Sequence, residues 1–121
     1  MTEALGQPVR LQLTGGQRHD VTQAAALLSE LSPTYVIADR GYASADLWAQ
    51  IEAQGAIPVI PSHPRSLHTT WYDRHLYKER HVVECFFNKL KQYRRIFTRF
   101  EKLAARYLAF VHLGATLIWL R

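Results

Sequence analysis

The chemistry-bearing residues of this 121-residue chain concentrate in one stretch, YKERHVVECFFNKLKQYRR, and in one isolated acid, Asp39. At about 100° per residue on a helix, Tyr77, Arg80, Glu84, Asn88, Lys91 and Arg95 fall on one narrow stripe. Glu84 then has Arg80 one turn before it and Lys91 two turns after it on its own face. Charged helix stripes are commonly solvated ladders contributing only a few tenths of a kcal/mol per pair. Here the cations outnumber the single acid, which leaves a positive edge suited to phosphates. Asp39 follows the apolar run Tyr35-Val36-Ile37-Ala38, and a strand-end carboxylate paired with a helix-borne glutamate could share a hard cation. Such a pair places its carboxylates within roughly 4–8 Å of each other.

The elements that must position these groups follow from the pattern. Pro8–Leu13 alternates apolar and polar residues before Gly15-Gly16 and reads as a strand. Asp20 is an N-cap candidate for a helix over VTQAAALLSEL, stopped at Ser32-Pro33. Tyr35–Ala38 reads as a strand, Ser44 as the cap of a helix over SADLWAQIEAQ ending at Gly55, and Ala56–Ile60 as a further strand. A β-α-β-α-β order implies an α/β fold with a largely parallel sheet, whose ligands gather at the carboxyl ends of strands. Residues 62–73 read as loop. Two helices follow, at about 76–96 and about 101–120. On the first, Val83, Phe86, Phe87 and Leu90 form an apolar arc, with Val82 and Tyr93 at its margin.

Composition narrows the function classes. The chain is 48% hydrophobic and 21% charged, as folded proteins are, with a net charge of +5. Residues 1–60 carry three basic against six acidic side chains, whereas residues 61–121 carry twelve basic against four acidic. This asymmetry is the footprint of a polyanion binder, most often of nucleic acid. The single cysteine, Cys85, excludes an internal disulfide and reads as a small packed hydrophobe. Six scattered histidines lack the pairing with a helical acid that a zinc hydrolase needs. Trp48, Trp71 and Trp119 read as packing residues, and the C-terminal apolar helix reads as a cover for the sheet. No secretory leader or membrane span is expected.

Tyr77-(2)-Arg80-(3)-Glu84-(6)-Lys91 resembles in full the Y-(2)-R-(3)-E-(6)-K signature of bacterial insertion-sequence transposases of the DDE class. LGQPVRLQLTGGQRHD, IADRGYAS, IPVIPS and LAFVHLGATLIWLR resemble, in order, the C-terminal portion of the family-five group within the family-four-like superfamily. The resemblance covers essentially all of the chain, residues 1–121, as the C-terminal part of a catalytic domain. It implies a partial ribonuclease H-like fold lacking its first central strand. In that family two Asp and one Glu hold two divalent metals, Mg²⁺ with Mn²⁺ as substitute. The second Asp maps onto Asp39 and the Glu onto Glu84, while the first Asp would lie upstream; Glu3 and Asp20 are poor replacements. Ala43 stands where the family more often has Asp.

The resemblance further implies DNA cleavage and strand transfer, with Tyr77, Arg80, Lys91, Arg94, Arg95 and Arg99 as DNA contacts. Tyr77 reads equally well as a helix-start aromatic packed on the preceding loop. The implied setting is the bacterial cytoplasm at the nucleoid, with a dimer in the full-length form and an upstream frame product as possible partner. The competing reading is a non-catalytic DNA-binding or regulatory remnant. The chain alone is expected not to cleave DNA, and without the central strands it is expected either to be marginally stable and aggregation-prone or to pair Pro8–Leu13 directly with Tyr35–Ala38.

Overall fold

A computed structural model describes residues 1–15, 20–66, 71–93 and 102–121. The chain divides into two compact units: Met1–Leu13 with His81–Arg121, and Thr14–Arg80.

The Thr14–Arg80 unit is an α-β-α-β arrangement. Helix α1 spans Val21–Leu28, strand β1 Tyr35–Ile37, helix α2 Ala45–Ala53 and strand β2 Ile57–Val59. The strands pair in parallel, Tyr35 with Ile57 and Ile37 with Val59, and the Ala38 N–H reaches the Val59 carbonyl at 3.4 Å. Parallel pairing needs a crossover, which α2 supplies. Leu47, Trp48 and Ile51 of α2 are buried together with Ala56, Val59 and Ile60, and Ala24 and Leu28 of α1 are buried as well. Gly55 ends α2 in the left-handed region, at φ +78°, where a side chain would add strain. The α/β reading and the strands at 35–38 and 56–60 stand, each one or two residues shorter than the pattern suggests.

Three readings are corrected in this unit. Asp20 sits at the N-cap position of α1, but its own backbone is already helical and its side chain makes no cap hydrogen bond. Ser44 caps α2 by position only: its backbone is extended and its side chain accepts nothing from the helix. The charged segment begins earlier than expected, because Asp73 Oδ1 accepts from the His75 and Leu76 N–H groups at 2.7 and 3.2 Å. That cap starts helix α3 at Arg74–Tyr77, which tightens into a 3₁₀ turn at Lys78–Arg80.

In the other unit, Pro8–Leu13 is not a strand. Met1–Arg10 folds back on itself: Thr2 bridges Pro8 in antiparallel fashion, with Gly6 in the left-handed region at the turn. Glu3 Oε1 accepts from the Leu5 and Gln7 N–H groups, while the Met1 amino group donates to the Arg10 carbonyl. These local bonds use backbone groups a sheet ladder would need, and Pro8 has no N–H to offer one. Pairing of Pro8–Leu13 with Tyr35–Ala38 is therefore replaced: among the described residues the sheet has two strands, β1 and β2.

Helix α4, His81–Lys91, and helix α5, Ala104–Trp119, pack through Phe86, Leu90 and Ile118, with Leu11, Tyr93 and Val111 against them. Small residues on α5, Gly114 and Ala115, are buried. The Trp119 indole N–H donates to the Pro8 carbonyl at 2.7 Å, so Trp119 is a half-exposed tether rather than a core residue. Trp71 is 85% exposed and Cys85 is also exposed, against the packed roles expected of both. Phe87, placed on the buried arc by the sequence pattern, is 52% exposed. Among the described residues no helix is long and apolar enough to cross a membrane.

Candidate functional site

Asp39 lies two residues beyond β1, at the carboxyl edge of the parallel pair. Its Oδ1 accepts from the Gly41 N–H at 2.8 Å, and its carbonyl accepts from the Tyr42 N–H at 3.1 Å. Together these close a 3₁₀ turn over Arg40–Tyr42. An Asp two residues before a Gly is the sequence signal for such an Asx turn. Space favours the glycine: a Cβ there would meet Asp39 Oδ1 at 3.0 Å, so the carboxylate would have to give way by a few tenths of an ångström. This turn fixes one carboxylate oxygen and leaves the exposed side chain with a second.

Tyr42 adjoins this carboxylate. Burial pushes its phenol above the usual value, and the charges of Asp20 and then Asp39 push it in the same direction. Sequence reasoning missed this grouping, because it assigned Asp20 to a helix cap that does not form.

The four-residue signature is divided between the two units. Tyr77 and Arg80 belong to the Thr14–Arg80 unit. There the Arg80 guanidinium lies 6.0 Å from the Tyr77 ring centroid, near the outer limit for cation–π attraction. Tyr77 also meets Tyr72 edge-on, with centroids 5.4 Å apart, which gives it the loop-packing role that was one of its two readings. Glu84 and Lys91 belong to the other unit, where they line a shallow depression on α4 together with Phe87 and Asn88. Glu84, Phe87, Asn88 and Lys91 are all exposed. Arg94, Arg95 and Arg99 lie outside the described residues.

Carboxylates suit a hard divalent cation in kind. In number the set is incomplete: among the described residues no three His, Cys, Asp or Glu side chains come together as metal ligands.

Comparison with known proteins follows the same lines. The family model described as the transposase DDE domain matches residues 1–120. A Brucella ovis protein named as a transposase for insertion sequence element IS6501 is 44% identical over 123 residues, covering all of this chain and 95% of the relative. A Burkholderia cepacia protein named as a transposase for insertion sequence element IS402 is 34% identical over 130 residues. That alignment covers 98% of this chain but 59% of the longer relative. No solved structure matches the chain. With residues 1–120 inside the family model and a relative 44% identical over the whole of this chain, the chain belongs to the transposase DDE domain family.

Proposed function

We infer that this chain is the C-terminal part of a DNA transposase catalytic domain, acting in strand cleavage and strand transfer at insertion-element ends. The observation that carries the reading is the Asp39 carboxylate held by the Gly41 N–H at the carboxyl edge of β1, in a chain that also bears the complete signature Tyr77, Arg80, Glu84, Lys91. Asp39 and Glu84 are the proposed metal ligands, carboxylates being suited to a hard divalent cation. Bound Mg²⁺, or Mn²⁺ in its place, would polarise the scissile phosphate and the attacking oxygen.

The chain's own residues do the rest. Gly41 fixes the direction of Asp39. Arg80 offers a bidentate fork to a phosphate flanking the scissile bond, and Lys91 a point charge. Arg94, Arg95 and Arg99 are proposed as further DNA contacts through their positive charge. Two carboxylates offset the charge of two closely spaced divalent cations poorly, so a third acid is proposed to come from an upstream polypeptide, with a dimer on paired ends in the full-length protein. Cytoplasmic, nucleoid-associated DNA is the corresponding setting.

The test is metal-dependent nicking of DNA carrying the element's ends, by the 121-residue chain and by its fusion to the upstream frame. The fusion should nick and lose activity in Glu84→Ala, while the chain alone should not. Robust nicking by the chain alone would point to Glu3 or Asp20 as a third ligand. Inactivity of both, with salt-dependent duplex binding retained, would favour a regulatory DNA-binding remnant.

A further inference from the structure

Phe87 is an anomaly on α4. An aromatic ring 52% exposed sits beside Glu84, Asn88 and Lys91 in a depression of about 440 Å³. All four residues lie at i, i+3, i+4 and i+7 spacing, hence on one helix face. The ring is not loosely tethered. It leans on Phe86 with centroids 5.4 Å apart at 56°, and Phe86 is 2% exposed, locked against Leu90 and Ile118. Phe87 is thus a braced aromatic platform on the face that carries two of the signature residues.

Each neighbour constrains what lands there. The Lys91 ammonium favours a phosphate at the C-terminal end of the depression. The ring between Glu84 and Lys91 carries no charge and presents a flat π-face, which suits a base rather than sugar-phosphate backbone. Asn88 brings an amide with both donor and acceptor, able to meet the polar edge of an unpaired base. Paired bases inside a duplex hide their faces; an unstacked one at a strand end does not.

On the reading above that the chain acts on DNA, we propose that Phe87 stacks on an unpaired nucleobase at a DNA strand end, with Asn88 on the base edge and Lys91 on the adjoining phosphate. Stacking is uncharged and releases no counterions, so its loss lowers affinity without altering salt dependence.

The experiment compares binding of the full chain, without added metal, to a blunt duplex and to the same duplex with a short 3′ overhang, across a salt series. Wild type should prefer the overhang. Phe87→Ala and Phe87→Leu should weaken overhang binding by about five- to a hundredfold and leave blunt-duplex binding and the salt slope unchanged. Phe87→Tyr should retain the preference. A thermal melt matching wild type separates this loss from unfolding. Equal losses on both DNAs, full retention in Phe87→Leu, or no overhang preference in wild type each overturns the stacking assignment. If wild type binds the blunt duplex with a steep salt slope but ignores the overhang, only this inference fails. If it binds neither DNA at low salt, the DNA reading falls with it.

Discussion

Substituting Gly41 by alanine separates the position of the Asp39 carboxylate from the stability of the fold. Gly41 is not one of the glycines in the left-handed region, which among the described residues are Gly6 and Gly55, so an alanine meets no backbone strain. It narrows the unfolded ensemble, a stabilising effect of about 0.4–1 kcal/mol. Against this, its methyl group would sit 3.0 Å from Asp39 Oδ1, inside ordinary contact distance. The carboxylate must withdraw by a few tenths of an ångström and stretch the 2.8 Å bond from the Gly41 N–H. At an exposed site the loss of that bond costs about 0.5–1.5 kcal/mol. The two terms nearly cancel, leaving a net change within about 1 kcal/mol, or at most about 4–8 °C in Tm for a unit of this size. Activity responds differently, because misplacing a reacting group by about 1 Å can cost about a hundredfold. Denaturant titration and a nicking assay on Gly41→Ala in the upstream fusion should show near-native stability with activity down on the order of tenfold. Asp39→Asn keeps an oxygen to accept from Gly41, so its turn should survive while its nicking is lost. Wild-type nicking by Gly41→Ala, or destabilisation beyond about 3 kcal/mol, a scale that signals core damage rather than a stretched surface bond, would refute the reasoning.

Three further outcomes follow from the packing. Tyr42 ionises above its ordinary 10.0 because of burial, then Asp20, then Asp39, so the folded chain holds that proton more tightly than the unfolded one. Stability should be intact below about pH 10 and fall as pH rises through the Tyr42 transition, and Asp39→Asn should shrink the fall, as read by phenolate absorbance and melting at each pH. Trp48 is buried with its indole N–H unpartnered, whereas Ile51 is wholly buried and apolar; Trp48→Phe should cost less than about 1.5 kcal/mol in denaturant titration, and Ile51→Ala about 2–5 kcal/mol. Trp119→Phe removes the bond to the Pro8 carbonyl and should destabilise by about 1 kcal/mol, with faster amide exchange at Val9, whose N–H donates to the Met1 carbonyl.

The sequence made the neighbourhood of Asp39 legible because two short-range rules agree there. A β-branched run ends in Asp, and Asp-x-Gly closes its own turn. Legibility failed where local pattern met local competition. The alternation of Pro8–Leu13 predicts a strand, yet a left-handed Gly6 and the side chain of Glu3 organise the same backbone into a fold-back. Asp20 has the residue type of a cap, but capping depends on an extended N-cap backbone that residue type does not encode. The apolar arc on α4 contains two adjacent phenylalanines about 100° apart; a single helix, α5, covers Phe86 and leaves Phe87 outside. Periodicity finds the middle of a buried face far better than its margin.

The bond between the Trp119 indole and the Pro8 carbonyl joins residues 111 positions apart, and this bears on how the chain is made. The Thr14–Arg80 unit is one uninterrupted run, so as the chain emerges from the ribosome its β1–β2 pairing can form once β2 has been synthesised. The other unit is assembled from both ends of the chain. Its first segment must wait, with Pro8 and Leu11 uncovered, until the last helix is translated. Closing so long a loop costs little more than closing one half as long, since the entropy rises only logarithmically; the burden is time rather than free energy. A ribosome stalled before Trp119, or a nonsense mutation in α5, would therefore release a chain with one unit folded and an apolar N-terminal segment in solvent, a natural substrate for holdase chaperones and proteases.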